Sequence, residues 1–279
     1  MRGAVASLRM RILAQAQMRP VADAVDLVVA HRVCGSVAPR VAAGLARGTA
    51  GFSLRDKVLE LDDAGLDYAG RSQRLRLAAR WLLQAGLASA WRDEELEIRC
   101  DPDAPALACI DRCAVRVLGI TTYSVHLNGY TADGQLVVAL RAAHKRVDPG
   151  LWDNLAGGMI GAGESVRSAL AREAFEEAGL DLTGLPIQEG ARLRVRRSIS
   201  EGTLAELVHI FDVDLPAGTA VVNQDGEVER FATRPVPAVL AAIERGEFTV
   251  EAALATLDSL ERRGQDKNPR TRMDGSNTA

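Results

Sequence analysis

Within the 279-residue chain, one segment carries acidic side chains at spacings that can do chemistry: Glu173, Glu176 and Glu177. A helix advances about 100° per residue. With Val166 set at zero, Ala169 and Leu170 fall within about 60° and form an apolar stripe. Glu173 and Glu177 lie about 20° to either side of that zero, and Glu176 sits on the flank beside Ala169. The three carboxylates thus share an arc of about 100° that continues the stripe toward the body of the protein. Like charges so close raise each other's pKa and resist burial unless a cation offsets them. An all-oxygen set with no nearby His or Cys pair suits a hard ion, Mg2+ or Mn2+.

Glu-Glu at a helix end is, taken alone, the composition of a solvated surface. The residues just upstream change that reading. Gly157, Gly158, Gly161 and Gly163 precede the helix, where backbone must approach a ligand closely or adopt positive φ. A glycine-rich loop entering a helix N-terminus also offers free N–H donors to phosphate oxygens. Metal carboxylates beside such a loop point to a substrate bearing a pyrophosphate.

Stepping outward to the elements that must position these groups, the pattern predicts a helix over 165–178, stopped by Gly179 at the C′ position. Strands are expected over 115–120, 123–130, 135–140, 191–199, 207–213 and 228–233, and a short one over 96–99. Asp133-Gly134 between two β-rich runs signals a hairpin. Helical runs are expected over 236–247 and 250–263. From 21 to 90 the apolar spacing reads as mostly helical, clearest at Leu75, Ala78, Ala79, Leu82 and Leu83. Strands and helices mix without regular βαβ alternation, which favours an α+β class. The expected organisation is an accessory domain over 1–112, a second domain over 113–263, and a disordered polar tail over 264–279.

Gly158, Glu164 and the run Arg172-Glu173-Ala174-Phe175-Glu176-Glu177-Ala178-Gly179-Leu180 together resemble the signature box of the Nudix hydrolases. Every defined charged and glycine position matches. Ala174 stands where the family prefers a larger aliphatic residue, a matter of packing more than chemistry. The resemblance implies an α/β/α sandwich with a mixed sheet, beside a smaller N-terminal α/β domain. It implies hydrolysis of a small-molecule diphosphate with Mg2+ or Mn2+. By position, Glu173, Glu176 and Glu177 become the metal carboxylates, Arg172 and Glu164 the pair bracing loop against helix, and Glu173 the first choice of base. Some members use a carboxylate from a later loop, for which Glu201, Glu206 and Glu227 are candidates.

A narrower similarity runs from about residue 25 to 262. It includes Thr121 through Tyr130, Ala139 through Arg146 and Pro149 through Gly158, and more faintly the segments around Cys34 and Trp91. It resembles a Nudix subgroup with an extra N-terminal domain, fused in some fungi to thiamine pyrophosphokinase. That subgroup implies an oxidised or otherwise damaged thiamine diphosphate, cleaved to the monophosphate. The compact loop between Gly158 and Glu164 departs from the longer loop of other members and leaves the substrate's shape open. The rival readings are a nucleoside diphosphate derivative as substrate, and a Nudix-fold regulatory module that binds without turnover.

Arg141, Lys145 and Arg146 either contact phosphate oxygens or form a solvated basic loop. Trp152 either stacks on a substrate ring or packs in the core or at its rim. Asp153 and Asn154 either shape the turn into the strand or polarise a substrate ring.

Composition sets outer bounds. Thirty-four basic against 37 acidic residues, a formal charge of −3, argues against a general nucleic-acid binder. No apolar run approaches the roughly 18 residues that cross a bilayer. Four irregularly spaced cysteines read as free thiols in a reducing cytoplasm. Cys109 and Cys113 lack zinc-site context, and His31, His126, His144 and His209 are scattered. No nucleophile elbow or Walker loop is present. Arg2, Arg9, Arg11 and Arg19 precede the first acid, Asp23; an amphipathic first helix, an early start codon and a transit peptide all fit, and no export is assigned.

Overall fold

Alternating burial and short turns build the first part of the chain. The computed structural model describes residues 2–17, 23–49 and 51–266. After helix α1 (Arg2–Ala16) come β1 (Val25–Val29), β2 (Arg32–Val37), α2 (Pro39–Gly48), β3 (Phe52–Arg55) and β4 (Val58–Leu61). Helix α3 (Tyr68–Gln84), strands β5 (Glu95–Ile98) and β6 (Ala108–Asp111) and the short α4 (Arg112–Val115) follow. The four strands β1 to β4 pair in the order β2-β1-β4-β3, and β5 and β6 pair separately.

This corrects the mostly helical expectation for 21–90. In β1, Val25, Leu27 and Val29 are buried while the residues between them are not, a period of two over only five residues. The turns that reverse the chain, Ala30-His31 and Asp56-Lys57, hold positive φ at both positions without a glycine, so the usual hairpin signature is missing. The strand expected over 115–120 is also corrected. Val115 ends α4, and the backbone folds back so that Leu118 N–H bonds Ala114 and Ile120 N–H bonds Val115. The apolar run there reflects burial against β2 and α3 rather than pleating.

The second part contains β7 (Thr121–Tyr130), β8 (Leu136–Arg141), β9 (Trp152–Asp153), β10 (Ala156–Met159) and α5 (Val166–Ala178). It continues with β11 (Ile187–Ile199), β12 (Gly202–Asp214), β13 (Val228–Arg234), α6 (Val236–Glu244) and α7 (Val250–Asp266). The sheet runs β11-β12-β7-β8-β13, with β10 on β7 and β9 on β8; β12 and β7 are parallel and the other pairs antiparallel. Gly134 at φ 78° makes the expected turn between β7 and β8.

Helix α5 covers one face, where Ala169, Leu170, Ala174 and Ala178 meet Val125, Leu127 and Phe211. Helices α6 and α7 cover the other, joined by α1, whose Val5 and Leu8 are buried in the same cluster as Ala253 and Leu257. The fold is therefore α+β, a mixed sheet between helical layers with a smaller α/β unit built on its own core. Helix α1 lies with the later helices, Arg9 pairing with Asp258 and Glu261. Residues 264–266 belong to α7. The rest of the expected tail, 267–279, lies outside the described residues. Among the described residues no helix is long and apolar enough to cross a membrane.

Candidate active site

Helix α5 is fixed at both ends by local chemistry. Ser165 caps it, accepting the Ser168 N–H at 3.0 Å while the Ser168 hydroxyl accepts the Ser165 N–H at 2.9 Å. Gly179 ends it in the left-handed region at φ 65°. Burial of the alanine and leucine stripe then sets the rotation of the acids. Glu173 and Glu177 are 9% and 6% exposed, while the Glu176 side chain is 44% exposed. Ala174 is fully buried.

Strand β10 brings the glycines under this helix. It pairs with β7 so that Gly157 faces His126 and Gly158 faces Val125. A Cβ on Gly158 would lie 2.1 Å from Oε1 of Glu173, so only glycine allows the carboxylate to rest on the strand. The Gly157 N–H donates to Oε2 of Glu177 at 2.9 Å.

Arg172 organises the remaining charge. Its Nε and Nη2 donate to the two oxygens of Glu164 at 2.8 and 2.9 Å, and Nη2 also reaches the Met159 carbonyl at 3.0 Å. Its Nη1 donates to Glu173 at 2.8 Å and Glu176 at 3.0 Å. Glu164 in turn accepts the Gly161 N–H at 2.8 Å, which ties loop to helix. Hydrogen bonding from Arg172 holds Glu164 below the ordinary carboxylate range and raises Arg172 itself. Burial pushes Glu173 up, with Arg172 opposing. Burial, then the charge of Glu173, pushes Glu177 up to about 8.

A cleft of about 230 Å³ opens beside these groups. Glu173, Glu176, Arg172, Gly157 and Gly158 line it, while Glu177 sits behind the glycine strand. Lys145 lines it as well and binds Glu227; burial, then the nearby Arg141, lowers its pKa. Arg141 lines the cleft but directs Nη1 to Asp153 at 2.9 Å and its other donors to the carbonyls of Val147 and Asp148. Two of its five N–H groups remain for a ligand. Of the later carboxylates, Glu206 and Glu227 line the cleft. Glu201 instead pairs with Arg116 at 3.0 Å and with Arg146 at 3.9 Å.

Three expected substrate contacts are placed elsewhere. Trp152 is buried in the core below α6 and α7, its ring covered by Arg230 and Arg234 at 5.0 and 3.9 Å. Of its two readings, the core one holds. Asn154 is 2% exposed and locked between Asn128, Thr256 and His126 at 2.7, 3.0 and 2.8 Å. Its amide is thus consumed in holding β9 against α7 and β7. Arg146 is half-exposed and outside the cleft lining.

The cleft also contains groups that the sequence did not announce. Arg112 and Arg116 reach it from the segment before β7, and Arg197 and Glu251 from β11 and α7. His126 lines it too; because Asn154 donates its amide N–H groups elsewhere, its Oδ1 accepts from Nδ1 of His126. No local spacing connects these residues, since each comes from a different element. Glu251 gives one weak signal: an acid in the first turn behind the capping Thr249 reads as a helix-dipole partner.

Among the described residues no three His, Cys, Asp or Glu side chains converge as a ready-made metal cage. Glu173 and Glu176 are drawn onto Arg172, and Glu177 onto the Gly157 amide. The donor chemistry nonetheless fits a hard divalent ion: oxygen only, two of the three carboxylates buried, and their pKa values raised by burial without a full counter-charge.

Comparison with known proteins matches these features to families. Residues 127–254 match the NUDIX domain. Residues 10–122 match a domain of unknown function, DUF4743. Over 194 residues, 64% of this chain, it is 30% identical to Nudix hydrolase 20, chloroplastic, and 29% identical to Nudix hydrolase 24, chloroplastic, both of Arabidopsis thaliana. It is 26% identical over 234 residues to the uncharacterized protein YJR142W of Saccharomyces cerevisiae, covering 76% of this chain and 68% of that one. The chain spans about half the length of the two plant relatives, 49% and 50%.

Proposed function

We propose that this protein is a divalent-metal-dependent hydrolase of a small-molecule diphosphate. The observation that carries the reading is the pair Glu173 and Glu177, buried one helical turn apart against a strand that must be glycine at Gly158. Two buried acids with raised pKa are costly in a merely structural role and are suited to a cation. Glu173, Glu176 and Glu177 would hold Mg2+ or Mn2+, which when bound neutralises diphosphate charge and favours attack by water.

The chain's own residues supply the rest. Arg172 and Glu164 hold the Gly161 loop on α5 and so fix the carboxylates against β10. Arg112, Arg116 and Lys145 bring positive charge to the walls, where phosphate oxygens collect. Glu173 is the first choice of base for the attacking water, with Glu206 the later carboxylate best placed to share that role, since it lines the cleft and is buried. In this reading the accessory domain covers 1–112 along the chain, with its first helix α1 packed on the hydrolase domain, 113–263. The four free cysteines fit a cytoplasmic setting.

The substrate we favour is an oxidised or damaged thiamine diphosphate, released as the monophosphate. Its support is the subgroup likeness of the sequence; a link to thiamine pyrophosphokinase belongs to the same proposal. The purified chain is to be given oxidised thiamine diphosphate, ADP-ribose and nucleotide sugars with Mg2+ or Mn2+, and the products followed: free phosphate from the thiamine compound, and from the others, which split into two phosphomonoesters, the phosphate that an added phosphatase frees from those esters. Preferred release from the thiamine compound is expected. Preferred turnover of a nucleotide derivative overturns the substrate, and binding without turnover across the panel overturns the hydrolase.

A further inference from the structure

Two further carboxylates in the cleft are buried with little to satisfy them. Glu206 on β12 is 8% exposed, and Glu251 in the first turn of α7 is 7% exposed. Both line the cleft, together with Asp148 and Arg197. Glu206 accepts the Ser124 hydroxyl at 2.5 Å. Oε1 of Glu251 and Nε of Arg197 form an ion pair at 3.5 Å in which neither atom has a hydrogen-bond partner, while Arg197 directs Nη2 to Asp148.

Arg197 is shared between Glu251 and Asp148, and the charges of Glu206 and Asp148 both act on Glu251. The α7 N-terminus eases Glu251 in part. Burial and the neighbouring Glu206 still push its pKa up. Leu204, two residues before Glu206 on the same strand face, also lines the cleft and gives it an apolar side. An apolar wall next to unsatisfied buried acceptors is a setting for a flat ring with a positive or N–H-bearing edge.

We propose that Glu206 and Glu251 form a headgroup subsite selecting diphosphates whose organic moiety is a cationic or N–H-donating heterocycle. This deepens the diphosphate reading of the cleft and rests on it. Glu251 supplies the free acceptor, Glu206 the second acceptor, and Arg197 holds Glu251 in place.

The test uses ligands that lack an anhydride, so that turnover does not enter. Thiamine monophosphate carries the cationic ring and an amino N–H edge; benzyl phosphate carries an uncharged ring with no N–H. Calorimetric titration of the full chain is expected to show a preference for thiamine monophosphate. Glu251→Gln and Glu206→Gln should each weaken that ligand about tenfold, the loss of one charge-assisted hydrogen bond, and change benzyl phosphate less than about twofold. Thermal melts report whether each near-isosteric variant folds, and two variants guard against the failure of one. Equal binding of both ligands by the wild type, or an unchanged preference in both folded variants, overturns the subsite. So does loss of Mn2+ affinity in the variants with ligand preference intact, which makes the pair a metal site. Failure of the hydrolase reading shows separately, as absence of turnover across the diphosphate panel.

Discussion

At the scale of single residues, Glu177 concentrates the energetic tension of the site. Burial behind the glycine strand raises its pKa from an ordinary 4.5 to about 8. Between those values the folded protein holds a proton that the unfolded chain has released, so this group's contribution to stability is full below about 4.5 and is lost as pH rises through about 8. In metal-free protein, Glu177→Gln is expected to flatten that slope, with a melting temperature above wild type at pH 8.5 and close to it near pH 5. Added Mg2+ or Mn2+ should raise the wild-type melting temperature more at high pH, since ligation requires the carboxylate. Parallel wild-type and variant melting profiles across this range would falsify the assignment. Sequence spacing placed this residue on the inward face of α5; its degree of burial depended on how closely β10 approaches.

At the scale of elements, the site is a contact between α5 and β10. The helix was legible because its alanine and leucine stripe and terminating Gly179 lie within one short window. The closeness of approach was not. Gly158→Ala places a methyl group where the Glu173 carboxylate sits, 2.1–2.4 Å from its atoms, and the neighbouring atom in contact belongs to the group the site depends on. Expected outcomes are a loss of turnover by at least about 100-fold, the order caused by misplacing a catalytic group by an ångström, and weakened Mn2+ binding with the helical circular dichroism retained. Wild-type Mn2+ affinity in this variant contradicts the contact. The small strands β1 to β4 escaped notice for a related reason. Only β1 and β4 alternate in burial, over five and four residues, too short to outweigh helical spacing nearby, and the turns at Ala30-His31 and Asp56-Lys57 adopt positive φ without glycine. Conversely the apolar stretch after Val115 imitated a strand because it is buried all round.

At the scale of the whole molecule, the cleft is shared between the two parts of the chain. Arg112 reaches it from α4, within the stretch that matches DUF4743, and its charge acts on both Glu173 and Lys145. Its side chain is held by Glu94 at 2.7 Å. Arg112→Ala is expected to raise KM for the diphosphate several-fold with a smaller change in kcat and an unchanged melting temperature, the pattern of lost ground-state phosphate contact. Arg112→Lys should recover part of the loss, and an unaltered KM in the alanine variant removes this arginine from the site. The role of the N-terminal unit, on this view, is to supply one wall of the cleft.

Sequence alone determined what depends on residues near one another along the chain: the helix that carries Glu173, Glu176 and Glu177 and the glycines that precede it, while the pairing of Arg172 with Glu164 was implied by the family resemblance. Helical geometry converts such spacing directly into position, which is why those groups could be read before any fold was known. Tertiary structure decided what depends on distant segments meeting. It put Trp152 in the core, bound Asn154 into a network across β7 and α7, and gathered Arg112, Arg197, Glu206 and Glu251 around one opening. Packing of sheet and helices fixes those encounters, and no local periodicity encodes them.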